Sequence, residues 1–316
     1  MIYSSYKRSP NRGNVFMHKF YTALPKLSYG DTIGIISPSH VAAKERYEPI
    51  IQQIETLGFQ AKISNNLYSN TYGYIASEYE RADDLNSMVS DPDVRMIFFG
   101  GGYGSVDLLP LIDYENIRKN PKLFLSYSDG TSILNAIHTR TGLVTYYGQT
   151  PGDYAAPVPY TIEQFKRNFL EKSTGEFIPN STWHTVQQGT CEGILIGGYL
   201  HNIVLGLGGP YFSYDKTKTY LLFLEDHERF SSVAEVSSLL SFLEQSDFIK
   251  CVGGLIFGNY ADMLSYPLLE RLERFCKKHS IPAVYTDDFG HGRNHAVLPI
   301  GCYSKLNATN KTLFFY

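Results

Sequence analysis

Between Tyr29 and Gly148 short apolar runs alternate with segments of helical periodicity. "TIGIIS" reads as a buried strand, and "AAKERYEPIIQQIETLG" places Tyr47, Ile50, Ile51, Ile54 and Leu57 on one helical face that Gly58 closes. "SEYERADDLNSMVSD" opens on a capping box, Ser77 with Glu80, ahead of Leu85, Met88 and Val89. Strand "VRMIFF", a glycine loop, helix "VDLLPLIDYENIRKN", strand "LFLS", helix "TSILNAIHT" and strand "LVTYY" complete the series. Wholly apolar strands with helices between them predict an α/β fold whose parallel sheet is covered on both faces.

After Gly148 the series breaks. Residues 151–190 carry Pro151, Pro157, Pro159 and Pro179, a helical pattern in "TIEQFKRNFLE" and the polar stretch "STWHTVQQGT", the composition of a connection between domains. A second half follows from Cys191, with apolar runs "CEGILIGG", "TYLLFLED" and "CVGGLIFGNY", helices over "SSVAEVSSLLSFLEQS" and Leu268 to Lys278, and short strands near "PAVY", "HAVLPIGC" and "TLFFY". A chain of 316 residues is long enough for two domains. The expected organisation is an N-terminal arm (1–25), an α/β domain (26–150), a linker (151–190) and a C-terminal domain (191–316).

Composition narrows the function classes. Hydrophobic residues at 43% and charged residues at 19% suit a protein with a sizeable core. A formal net charge of -3 gives no broad basic surface for nucleic acid or anionic lipid. No run approaches the ~20 apolar residues of a membrane span. The first 25 residues contain Lys7, Arg8, Arg12, His18 and Lys19 but no apolar core of a secretory signal, so a cytoplasmic location is expected. Cys191, Cys251, Cys276 and Cys302 are far apart with no CxxC pair, which favours buried free thiols over a zinc site. No cofactor and no resident metal are expected.

Four segments could carry chemistry. In "FLSYSDGTSILNAIHTR", Ser128 sits where a strand feeds a helix, either as a helix cap or as a nucleophile beside free backbone N–H groups. "FFGGGYGS", Phe98 to Ser105, ends another strand, and its consecutive glycines allow close backbone approach to a ligand. It lacks the lysine of a phosphate loop and fits a dinucleotide fingerprint poorly. Both loops fall at the carboxyl ends of strands, where ligands bind in open α/β sheets. "YLLFLEDHERF" ends an apolar strand on Glu225 and Asp226, a solvated strand end or an active carboxylate. "DDFGHGRNHAVLPIG" holds His291 between two glycines. A metal reading of His291, His295, Asp287 and Asp288 lacks the helical HExxH spacing that fixes two ligands.

Together these segments resemble the LD-carboxypeptidase family of serine peptidases, which includes the microcin C self-immunity peptidases. The resemblance runs from about Leu27 to Gly301 through "YGDTIGIISPS", "ERADDLNSMVSDPDVRMIFFGGGYGS", "LLPLIDYENIRKNPKLFLSYSDGT", "TGLVTYYG", "GILIGGYL", "LLFLEDHE" and "FGHGRNHAVLPIG". It implies a nucleophile at Ser128, a glutamate at Glu225 and a histidine at His291, with oxyanion donors at the backbone N–H groups of Asp129 and Gly102. It also implies two domains: a doubly wound, Rossmann-like parallel sheet bearing the serine, and a β-rich α/β domain bearing Glu225 and His291, with the active site at their interface. Three departures border the cleft: Gly100 stands where the family often has Arg, Ser126 where Gly is frequent, and Tyr199 where Asn is frequent. The linker lacks the longer Trp-rich insertion of the microcin branch, although "PYTIEQFKRNF" resembles that branch.

The implied reaction is amide hydrolysis, with His291 as general base and then acid and Glu225 orienting it. The implied substrate is a small peptide, a murein tetrapeptide that loses its terminal D-Ala during wall recycling. The alternative is a peptidyl- or aminoacyl-nucleotide cleaved for self-immunity, and a further one is a binding protein that uses the cleft without catalysis. Gly101, Tyr103, Tyr199, Arg293 and Trp183 are candidate substrate contacts: Arg293 for a substrate carboxylate, Trp183 for stacking on a base. A homodimer is carried as the expected assembly.

Overall fold

The computed structural model describes residues 24–171 and 175–316; residues 1–23 of the expected N-terminal arm lie outside the described residues. The first half alternates as β1 (Thr32–Ile36), α1 (Lys44–Thr56), β2 (Gln60–Ile63), α2 (Glu78–Ser90), β3 (Val94–Phe99), α3 (Tyr114–Lys119), β4 (Leu123–Ser126), α4 (Thr131–Thr141) and β5 (Thr145–Tyr147). α1 buries Tyr47, Ile50 and Ile54, and Gly58 beyond it takes φ +93°. The Ser77–Glu80 capping box forms at the start of α2, supplying two backbone donors that the helix itself leaves unpaired. The long helix expected over "VDLLPLIDYENIRKN" divides into a 3-10 turn over Ser105–Leu108 and α3. Pro110 interrupts it, and Asp113 then caps a fresh helix through Asn116 N–H at 2.9 Å.

The second half contains α5 (Pro159–Phe169), β6 (His184–Gln187), β7 (Thr190–Tyr199), α6 (Leu200–Leu207), β8 (Tyr220–Glu225), α7 (Val233–Gln245), β9 (Val252–Asn259), α8 (Tyr266–His279), β10 (Ala283–Gly290), β11 (Leu298–Ile300), β12 (Tyr303–Asn307) and β13 (Thr312–Phe315). Two sheets result. The first runs β11-β5-β4-β3-β1-β2, parallel throughout except for β11. The second runs β13-β12-β7-β8-β9-β10-β6, with β7 to β10 parallel and antiparallel strands at both edges. The α/β class expected from the strand–helix alternation is what the chain adopts.

Two elements cross the expected divisions. β6, inside the segment read as linker, pairs antiparallel with β10, and its polar, half-buried residues suit an edge. β11, from the C-terminal half, pairs antiparallel with β5 and closes the first sheet. In that sheet the strand order reverses between β1 and β3, so the loops leaving their carboxyl ends splay apart and open a crevice.

Candidate active site

The crevice is a cavity of about 420 Å³. Its floor comes from three strand ends: His40 and Val41 after β1, Gly100 to Tyr103 after β3, and Tyr127 and Ser128 after β4. Tyr199, Phe230 and His291 close it from the second sheet.

Ser128 adopts φ +56°, the left-handed region that costs a non-glycine residue about 1 kcal/mol. The turn that enforces it is built around small residues. Ser126 Oγ donates to Phe99 C=O at 2.8 Å, and a Cβ on Gly130 would stand 2.2 Å from the Ser126 hydroxyl. The Asp129 carboxylate faces inward, accepting from Ser105 N–H at 2.8 Å and from Asn202 Nδ2 at 2.9 Å. The turn that carries Ser128 is thereby tied to the glycine loop on one side and to α6 on the other. Gly101 lies against Ser128, where a Cβ would come within 2.7 Å of the serine Cβ.

His291 follows β10, and its ring spans the two sheets: Nε2 is 2.9 Å from Ser128 Oγ and Nδ1 is 2.8 Å from Glu225 Oε2. Glu225, the last residue of β8, is fully buried. Gly290, at φ +105°, packs its backbone against Glu225, where a Cβ would sit 3.1 Å from the glutamate Cβ. Tyr147 Oη donates to the second oxygen, Oε1, at 2.5 Å and accepts from Ser128 N–H at 3.2 Å. Burial alone would lower the His291 pKa, but the charge and hydrogen bond of Glu225, with Asp226 beside it, outweigh that and raise it. Asp226 is itself buried, which pushes its carboxyl up to about 6. The imidazole is held edge-on by Phe230 and Tyr199, with ring centroids 4.9 and 5.2 Å away, and Tyr127 packs on it at a tilt at 5.1 Å.

The residues singled out from sequence divide into two groups. Ser128, His291, Gly101, Gly102, Tyr103 and Tyr199 line the cavity, with Glu225 and Asp129 directly behind it. Trp183 and Arg293 do not line it. Trp183 is buried in the core against Phe177, and its indole N–H is committed to Asp288 Oδ2 at 2.7 Å, as a buried Trp N–H must be. Arg293 is exposed on the loop beyond. The residues of the metal reading also separate: His295 lies 3.6 Å from Asp153, Asp287 accepts from Asn259 and Tyr285, and Asp288 holds Trp183. Tyr147 and Arg46, which lines the cavity, were not singled out from sequence. Tyr147 leaves one signal, a phenol hydroxyl at the end of a buried strand.

An oxygen held by an imidazole that is itself held by a buried carboxylate is an arrangement for activating a hydroxyl nucleophile. The comparisons with known proteins bear on its setting. Residues 33–148 match the LD-carboxypeptidase N-terminal domain and residues 192–306 the LD-carboxypeptidase C-terminal domain. A probable murein peptide carboxypeptidase of Bacillus subtilis is 30% identical, over 90% of this chain and 92% of its own. The microcin C7 self-immunity protein MccF of Escherichia coli is 29% identical, over 91% and 93%. A structure of MccF with aspartyl sulfamoyl adenosine superposes with a TM-score of 0.81 and 27% identity, covering 92% of this chain and 97% of that one. An MccF-like protein from Bacillus anthracis superposes with a TM-score of 0.84 and 26% identity, covering 92% and 98%. Among the described residues no helix is long and apolar enough to cross a membrane.

Proposed function

Because the chain belongs to the LD-carboxypeptidase family, a family of peptidases, we propose that it is a serine hydrolase of amides that releases a C-terminal D-amino acid from a murein tetrapeptide. The observation that carries this is the unbroken relay Ser128 Oγ–His291–Glu225 at 2.9 and 2.8 Å. Ser128 Oγ attacks the amide carbonyl while His291 Nε2 takes its proton, and Glu225 stabilises the imidazolium that forms. His291 then protonates the leaving amine, and water releases the acyl group by the same route. The N–H groups of Asp129 and Gly102 are assigned to the developing oxyanion. In this reading the division near residue 150 separates a nucleophile-bearing domain from one bearing the base, and the work is cytoplasmic recycling of wall peptides.

A second reading, cleavage of a peptidyl- or aminoacyl-nucleotide, is favoured by the likeness to MccF and by the aromatic rim of Tyr103, Tyr199 and Phe230. A base would stack there, since Trp183 is engaged in the core. Mass spectrometry of both substrates with wild type and with Ser128→Ala tests the proposal. Loss of one D-Ala from the tetrapeptide, reduced by roughly three orders of magnitude or more in the variant, is expected. Cleavage of the nucleotide substrate alone would replace the first reading by the second, and activity surviving in Ser128→Ala would refute the nucleophile.

A further inference from the structure

Both readings put a negative charge next to the scissile amide, either the carboxylate of the terminal residue or the phosphate of the nucleotide. That charge has to enter a site backed by two fully buried acids, Glu225 and Asp226, so a cation must offset the repulsion. Three arginines are near enough in the fold to be considered. Arg293 is exposed and does not line the cavity. Arg229 does not line the cavity; its Nη2 donates to His291 C=O at 2.8 Å and its Nε to His227 Nδ1 at 3.3 Å. Arg46, in the first turn of α1, lines the cavity, and among the described residues no ion pair or hydrogen bond engages its guanidinium. It lies across the crevice from the second sheet, over Gly152, where a Cβ would come 3.6 Å from Arg46 Nη2. Its charge reaches His40 and also Tyr127, whose ring packs on His291.

We propose that Arg46 binds the anionic group on the leaving half of the substrate and so makes this site one for substrates charged at that position. The assignment rests on the hydrolase reading above and names the substrate class of the same site. A planar fork of donors suits either a carboxylate or a phosphate, because both accept two parallel hydrogen bonds.

The test compares matched substrate pairs: a tetrapeptide with a free C-terminal carboxylate against its carboxamide, and an aminoacyl phosphoramidate nucleotide against its neutral phosphate methyl ester. Wild type should prefer the charged member of one pair by tenfold or more in kcat/KM. In Arg46→Ala that ratio should fall towards one, chiefly through KM, with Arg46→Lys between the two. Thermal melting of both variants checks that the fold is kept. The pair that responds identifies carboxylate or phosphate as the partner. A wild type without preference, or a preference unchanged in Arg46→Ala, would overturn the assignment. If wild type cleaves none of the four compounds, the hydrolase reading fails by itself. Arg46 is then judged by calorimetric binding of the same pairs: equal affinities with and without Arg46→Ala reject it, and selective loss of the charged member upholds it.

Discussion

Tyr147 places one hydroxyl between the carboxylate of Glu225, which in the proposed relay orients His291, and the backbone of Ser128. A buried carboxylate has two oxygens to satisfy, and His291 takes only one of them. Tyr147→Phe therefore leaves Glu225 Oε1 without its donor and frees Ser128 N–H. We expect a loss of stability of about 1–3 kcal/mol by urea denaturation, and a fall in kcat with little change in KM. Unaltered kcat would show that the phenol is only structural. The same cluster sets the pH response. His291 must be neutral to take a proton, and Glu225 and Asp226 raise its pKa above the ordinary value of about 6.5. The acid limb of kcat/KM should accordingly have its midpoint above that value. Asp226→Asn removes a charge that favours the imidazolium, so the limb should move to lower pH; an unmoved limb would assign the shift to Glu225 alone. Local pattern marked Ser128, Glu225 and His291 only as candidates at the ends of elements; the resemblance to the LD-carboxypeptidase family joined them into one site, and the fold brings their side chains within hydrogen-bond distance. Tyr147 and Arg46 were not legible in the sequence, because a tyrosine on a strand and an arginine on an amphipathic helix are ordinary in both places, and only the tertiary fold aims them at the site.

The loops that form the crevice are held from behind by α2. Arg81 is almost fully buried and donates to Ala76 C=O at 2.9 Å, to Pro38 C=O at 2.7 Å and to Gly104 C=O at 2.8 Å. One guanidinium thus joins the loop after β1 to the glycine loop after β3, on the two sides of the strand-order reversal. Arg81→Met keeps much of the volume and leaves three carbonyls without that donor. The expected loss is about 3 kcal/mol or more, read from the urea midpoint, with greater protease sensitivity in the glycine loop. A loss within 0.5 kcal/mol, ordinary for a surface site, would refute the staple. At this scale the first half was readable wherever strand and helix periods were clean. The failures have local causes. Pro110 divides a pattern that reads as one helix, and β6 is too polar to read as a strand until β10 supplies its partner.

The two sheets coincide in large part with two family domains, a division that suggests two units folding separately. The packing points the other way. One continuous apolar cluster includes Phe99, Phe124 and Tyr147 from the first sheet and Ile133 from α4 together with Leu195, Leu222, Phe223 and Phe257 from the second sheet. Polar contacts cross the same boundary: Asn135 Nδ2 to Gly197 C=O at 2.9 Å, Tyr199 N–H to Thr131 Oγ1 at 2.9 Å, and Asn202 to Asp129. β11 returns from the second half to pair with β5, so a first half alone would expose that sheet's edge and lose the strand covering it. A boundary between weakly attached domains is more polar than this shared apolar cluster. The described chain should therefore unfold in a single calorimetric transition, with calorimetric and van't Hoff enthalpies in agreement. Two resolved transitions would instead mean that the sheets melt independently. The consequence reaches the site, because Ser128 lies on one sheet while Glu225 and His291 come from the other. If the sheets share one core, the relay between them is as rigid as that core, and loss of activity on heating should coincide with global unfolding rather than precede it.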